Sequence, residues 1–184
     1  MQQTLYLVRH TRPLIEAGIC YGQLDVGLAD SFAAEAAAVA ASLPTPQLIL
    51  SSPLQRSHRL AAYLAQIYDC ELRCDERLKE MHFGDWEGRA WNDIERSELE
   101  AWSADILNFT PPHGESALQL TQRVSALLDE LAHLPLQRIA LVAHGGSMRA
   151  VLAHAAGIPL STTLSWQIDF GSVVAVRRNP QRRV

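Results

Sequence analysis

Uninterrupted apolar runs alternate along this chain with stretches of helical period. Leu5 to Val8, Leu48-Ile49-Leu50 and Ile139 to Ala143 hold no charged residue, the pattern of short strands covered on both faces. Between them the pattern predicts helices. One starts at Asp30 or Ser31 and runs through the alanine-rich stretch Phe32 to Leu43 until Pro44 and Pro46 stop it. Pro53 is placed to open a second, from Leu54 to about Tyr68, with Arg56 in its first turn. A polar helix is expected from Trp91 to Trp102. The turn from Thr110 to Ser116 leads into an amphipathic helix with Leu120, Val124, Leu127, Leu128 and Leu131 on one stripe. A last helix runs from Ser147 to Ala156, closed by Gly157 and Pro159.

Glu71 to Cys74 reads as an edge strand and Ser172 to Val176 as the final strand. Gly18, Gly22 and Gly27 make Glu16 to Leu28 a loop, and Leu78 to Gly88 reads as a structured loop. Strands alternating with helices of this length predict a three-layer α/β/α fold with a mostly parallel central sheet. The 184 residues fit a single domain, with a small cap inserted at about 87–110.

Composition narrows the function. Hydrophobic residues at 48% and charged ones at 20% describe an ordinary globular protein, and a net charge of -4 argues against a nucleic-acid partner. Four of the sixteen basic residues are Arg177, Arg178, Arg182 and Arg183, read as a solvated end. Cys20, Cys70 and Cys74 form no paired framework and point to a reducing compartment. No apolar run approaches the length of a membrane span and no signal sequence opens the chain, so a soluble cytoplasmic protein is expected.

The chemistry gathers where buried strands end. Arg9 and His10 follow the first run, Arg56 opens the helix after the second, and His144-Gly145-Gly146 follows the third. Open α/β sheets bind ligands at the carboxyl ends of their strands. Arginine does not ligate metals and repels cations, so two guanidiniums and two imidazoles make a poor metal site and a good phosphate site. His10 is the candidate nucleophile toward phosphorus, and His144 a second imidazole bonding to the transferring phosphoryl oxygens. A departing alkoxide also needs a proton, for which Glu80, Asp85 and Glu87 are candidates that spacing does not separate. A small phosphate monoester is the expected partner, with no cofactor and no metal. His58, His113, His133 and His154 read as helix or loop histidines.

Leu7-Val8-Arg9-His10-Thr11 resembles the Arg-His-Gly signature of the histidine phosphatase superfamily, the relatives of cofactor-dependent phosphoglycerate mutase. Ser51 to Ser57 resembles its second motif, Leu78 to Gly88 its third and Val142 to Gly146 its fourth, all in order. The resemblance implies a phosphoglycerate mutase-like fold and a covalent phosphohistidine. It puts Arg9, His10, Arg56 and His144 at the phosphate and makes Glu80, the leading glutamate of the third motif, the acid and base. Gly18 to Val26, Met81 to Glu87 and the Pro-His-Gly-Glu-Ser turn before Arg123 are similar to α-ribazole phosphatases of cobalamin nucleotide-loop assembly. Tyr21, Gly22 and His82 are the substrate-side residues this suggests.

Two positions depart from the pattern. Thr11 replaces the glycine after the histidine, and Glu16 stands where mutases carry asparagine, so Glu16 is expected to point away from phosphate. The short cap and its lack of a basic cluster favour hydrolysis over a mutase. A phosphate-recognising module without turnover is the third reading.

Overall fold

The computed structural model describes residues 2–178. In chain order the elements are β1 (Gln3–Arg9), β2 (Pro13–Leu14), β3 (Gly27–Leu28), α1 (Phe32–Ser42), β4 (Leu48–Ser51), α2 (Gln55–Tyr68) and β5 (Glu71–Cys74). These are followed by α3 (Arg96–Ala104), α4 (Ala117–Leu131), β6 (Arg138–Ala143), α5 (Gly145–Ala156), α6 (Leu160–Thr163) and β7 (Val173–Arg178). The five-stranded sheet runs β5-β4-β6-β1-β7, and β2 pairs with β3 in a separate two-stranded ribbon. β1, β4, β5 and β6 are parallel, whereas β7 pairs antiparallel with β1.

Alternation along the buried strands divides the core into two layers. Leu5, Leu7, Leu48, Leu50, Ile139 and Leu141 face α4 and α5, where they meet Leu120, Val124, Leu127 and Met148. Val8, Ile49, Ala140 and Val142 face α1 and α2, against Val39, Leu60 and Leu64. Strands apolar on both sides are therefore covered on both sides, the three-layer arrangement expected of such runs. α4 begins with a reciprocal cap: Ser116 Oγ accepts the Gln119 N–H, and the Gln119 side chain accepts the Ser116 N–H.

Several boundaries differ from the pattern-based reading. α2 begins at Gln55, because Leu54 keeps the extended backbone that follows Pro53. α5 begins at Gly145 with His144 at its cap, although glycine is a poor helix former. The polar helix starts only at Arg96, after a single tight turn at Trp91–Asp93. Arg177 and Arg178 belong to β7 rather than to a solvated end; burial lowers the affinity of the Arg178 guanidinium for its proton. Residues 179–184, with the rest of that end, lie outside the described residues.

The inserted segment has a small core of its own. Trp86 is fully buried with Cys20 and Ile94. Trp91 stacks on Trp102 at 5.8 Å and 14°, and Trp86 on Phe109 at 5.8 Å and 23°. Trp86 Nε1 donates to Glu98 at 2.5 Å. Backbone bonds from Cys20 to Arg89 and from Gly88 to Cys20 stitch this unit to the first loop. Among the described residues no helix is long and apolar enough to cross a membrane.

Candidate active site

β1 and β6 are neighbours in register Arg9↔Ala143, so each strand delivers its histidine at the next step of the ladder. His10 N–H donates to the Ala143 carbonyl at 3.0 Å. Both imidazoles continue the row of Val8 and Val142, on the side of the sheet covered by α2. Their ring centroids stand 5.0 Å apart, tilted by 58°.

His10 is 1% exposed, and its Nδ1 lies 2.7 Å from the Thr11 carbonyl. A carbonyl only accepts, so Nδ1 carries the proton and Nε2 keeps the lone pair. Burial, then the nearby Arg56 charge, lowers the imidazole pKa to about 3; Arg9 adds to this and the Thr11 bond works against it. The ring is therefore neutral at physiological pH.

His144 is fully buried, and burial together with His10 and Arg56 drives its pKa well below the ordinary value. Arg56 Nε donates to Nδ1 at 3.2 Å, which places the His144 proton on Nε2, where Ser52 Oγ at 2.8 Å accepts it. Ser57 Oγ lies 3.2 Å from the same nitrogen. Both ring nitrogens thus have protein partners.

Arg56, fully buried, also donates to the Leu24 carbonyl at 2.9 Å and to the Gly22 carbonyl at 2.5 Å. Its position in the first turn of α2 sets a cation against the positive end of a helix. Asp25 offsets this by accepting the Gln55 N–H at 2.7 Å. Burial lowers the Arg56 pKa, and Glu80, Tyr21, Asp25 and Glu87 push it back up. Arg9 places its Cζ 3.9 Å over the Phe170 ring and donates to the Ile168 carbonyl at 2.5 Å. Its Nε is buried without a hydrogen-bond partner among the described residues.

Of the three candidate acids, Glu80 is the one hydrogen-bonded to the first turn of α5, next to His144. Its Oε2 accepts the Gly146 N–H at 3.0 Å and its Oε1 the Met81 N–H at 2.8 Å. Arg123 fixes the segment that carries it, donating to the carbonyls of Arg77, Lys79 and Glu80 at 2.7, 2.8 and 2.9 Å while pairing with Glu115 at 2.5 Å. Glu87 instead accepts the backbone N–H groups of Gln23 and Phe83, both at 2.9 Å. Asp85 meets His113 at 2.9 Å on the exposed surface.

The substrate-side candidates divide. The Tyr21 ring centroid is 5.0 Å from Arg56 Cζ, and burial raises the phenol pKa. Gly22 has φ +30°, and a Cβ there would strike Glu87 and the Met81 carbonyl. His82 is 41% exposed with its ring 4.0 Å from Glu87, which groups it with the loop brace rather than the buried cradle. Glu16 is exposed on the rim of a 230 Å³ cavity with Arg12, Tyr21 and Phe170. Thr11 is fully buried with its hydroxyl unpartnered among the described residues. Residues that pattern reasoning did not single out are Asp25, Ser52, Ser57, Arg149 and Phe170. Among the described residues no group of three or more His, Cys, Asp or Glu is arranged to hold a metal ion.

Residues 5–184 match the model of the histidine phosphatase superfamily, branch 1. The chain belongs to this superfamily. Among curated members it is 32% identical over 172 residues to the glucosyl-3-phosphoglycerate phosphatase of Mycobacterium tuberculosis, covering 85% of this chain and 77% of that one. It is 30% identical over 138 residues to the adenosylcobalamin/alpha-ribazole phosphatase of Escherichia coli, covering 72% and 67%. The crystal structure of the alpha-ribazole phosphatase from Shigella flexneri superposes with a TM-score of 0.86 at 25% identity, over 94% of this chain and 89% of that one. This likeness supports the mixed α/β fold and membership in a superfamily of phosphatases acting on small phosphate esters.

Proposed function

We propose that the protein hydrolyses phosphate monoesters through a phosphohistidine on His10, without a metal ion. His10 Nε2 forms a bond to phosphorus as the bond to the leaving oxygen breaks, and protonated Glu80 gives its proton to that oxygen. The alcohol leaves. Water then attacks the phosphohistidine, passing a proton back to Glu80, and inorganic phosphate is released. The single observation that carries this reading is the 2.7 Å bond from His10 Nδ1–H to the Thr11 carbonyl, which fixes the free lone pair on Nε2.

Arg9 and Arg56 neutralise charge building on the phosphoryl oxygens. His144 holds Arg56 through Nδ1; an arriving dianion favours protonation of that nitrogen, which then turns from acceptor to a donor for phosphate. Replacing His10 by Ala should abolish turnover, and acid quenching of the wild type during turnover should leave an acid-labile phosphate that the variant lacks. Full turnover by His10→Ala, or loss of activity on treatment with a chelator, overturns the mechanism.

As substrate we propose α-ribazole 5′-phosphate. The loop from Gly18 to Val26, the motif from Met81 to Glu87 and the likeness to enzymes of that name support it. Glucosyl-3-phosphoglycerate is the second reading, favoured by the 32% identity to the mycobacterial enzyme. Ranking both esters and 3-phosphoglycerate by kcat/KM decides, and an isomer in place of free phosphate indicates a mutase.

A further inference from the structure

A cavity of about 340 Å³ is lined by Glu80 and Gly146 on one side and by Trp102 and Ile106 of the cap on another. Its walls are Phe83, Trp102, Ile106, Leu120 and Leu164, with Glu80 and Arg149 as its charged side chains. Arg149 uses two of its three nitrogens on backbone: Nε donates to the Thr163 carbonyl at 3.2 Å and Nη2 to the Trp166 carbonyl at 2.9 Å. Trp102 is held by its stack on Trp91 and by the edge-on rings of Phe83 and Trp86, so its flat indole is braced by three neighbouring rings. Its indole N–H is buried and unpartnered among the described residues.

Resting on the proposed phosphatase mechanism, we infer that this cavity is the leaving-group subsite, that it selects alcohols with a flat apolar body, and that Trp102 and Leu164 set the preference. The oxygen protonated by Glu80 must sit at the Glu80 end, and the rest of the alcohol then extends along the apolar wall that starts there, formed by Phe83, Leu120 and Leu164. A polyhydroxylated alcohol would bury hydroxyls against Phe83, Leu120 and Leu164 without partners, which rejects it strongly. A ring system would replace water against a surface that bonds water poorly. The volume lies at the small end of the range for ligand sites, enough for one ring system with a short linker.

The test compares 2-naphthylmethyl phosphate with glycerol 1-phosphate, two alkyl esters whose alkoxides differ little in leaving ability. The wild type should show a kcat/KM at least about tenfold higher for the naphthyl ester. Trp102→Ala should collapse that ratio toward one, chiefly through KM. If loss of the cap core unfolds that variant, Leu164→Asn decides, since Leu164 is 36% exposed at the rim and its change spares the core. Hydrolysis of both esters at equal kcat/KM, or a ratio untouched in every folded variant, overturns the inference and leaves the phosphatase mechanism standing. Failure to hydrolyse either ester, or any in the wider ranking, overturns both.

Discussion

Glu80 hangs on Gly146: its Oε2 accepts that residue's backbone N–H at 3.0 Å, in the first turn of α5. A methyl group on Gly146 would collide with the carboxylate, the far end of a flexible side chain, rather than with backbone. Gly146→Ala should therefore fold normally and lose kcat, by about 10²-fold, the cost of displacing a catalytic group by an ångström. Parallel thermal melts and single-turnover kinetics check this. An unchanged kcat would detach Glu80 from the proton transfer.

The neutral imidazoles make stability depend on pH. His10 titrates near 3 when folded and near 6.5 when unfolded, so between those values the unfolded chain binds the extra proton. Stability rises with pH across that window and is lost as pH falls from about 6.5 toward 3. The slope from this one site is on the order of 1 kcal/mol per pH unit. His10→Gln should flatten the fall in urea midpoint between pH 7 and pH 5 relative to the wild type. Parallel curves would mean the imidazole is not held neutral.

Arg56 uses three separate nitrogens on His144, Leu24 and Gly22. Lysine keeps the charge but offers a single nitrogen, so Arg56→Lys isolates the fork from the charge. The expected loss in kcat/KM is about 10²- to 10³-fold. Near-normal kinetics would reduce the role of Arg56 to a point charge.

Arg123 and Glu115 form a pair with side chains 20% and 15% exposed. Arg123→Met strands the Glu115 carboxylate, which should cost about 3 kcal/mol, read as a shift in the urea midpoint. Adding Glu115→Gln should recover part of that stability without recovering kcat, because the carbonyls leading to Glu80 remain unclamped. Recovery of kcat by the double variant would refute the clamp.

Much of this arrangement was legible in the sequence, and the parts that were not share a cause. Leu5 to Val8 and Ile139 to Ala143 lack polar residues because each is covered on both faces, so their ends, and with them His10 and His144, could be located from pattern alone. The direction of β7 could not, since an apolar run reads the same in either sense. Gly145 and Gly146 look like a loop by propensity. Glycine stands at both because the Arg149 guanidinium crowds one and the Glu80 carboxylate the other, a tertiary reason that propensity does not carry. Asp25 and Phe170 come from irregular segments with no period, and only their tertiary positions reveal them beside Arg56 and Arg9. Glu80 could not be separated from Asp85 and Glu87 by spacing, because all three sit in one loop and differ only in where its turns point them.

Adjacent strands of a sheet lie about 4.8 Å apart, and the rings of His10 and His144 stand 5.0 Å apart. The separation of the reacting imidazole from its companion matches that main-chain spacing, while the Thr11 carbonyl orients one ring and Arg56 and Ser52 orient the other. The roof over the reacting phosphorus can change by mutation without moving the strands that carry the pair, whereas a one-step slip of β1 against β6 would turn the His10 ring to the opposite face and part it from His144.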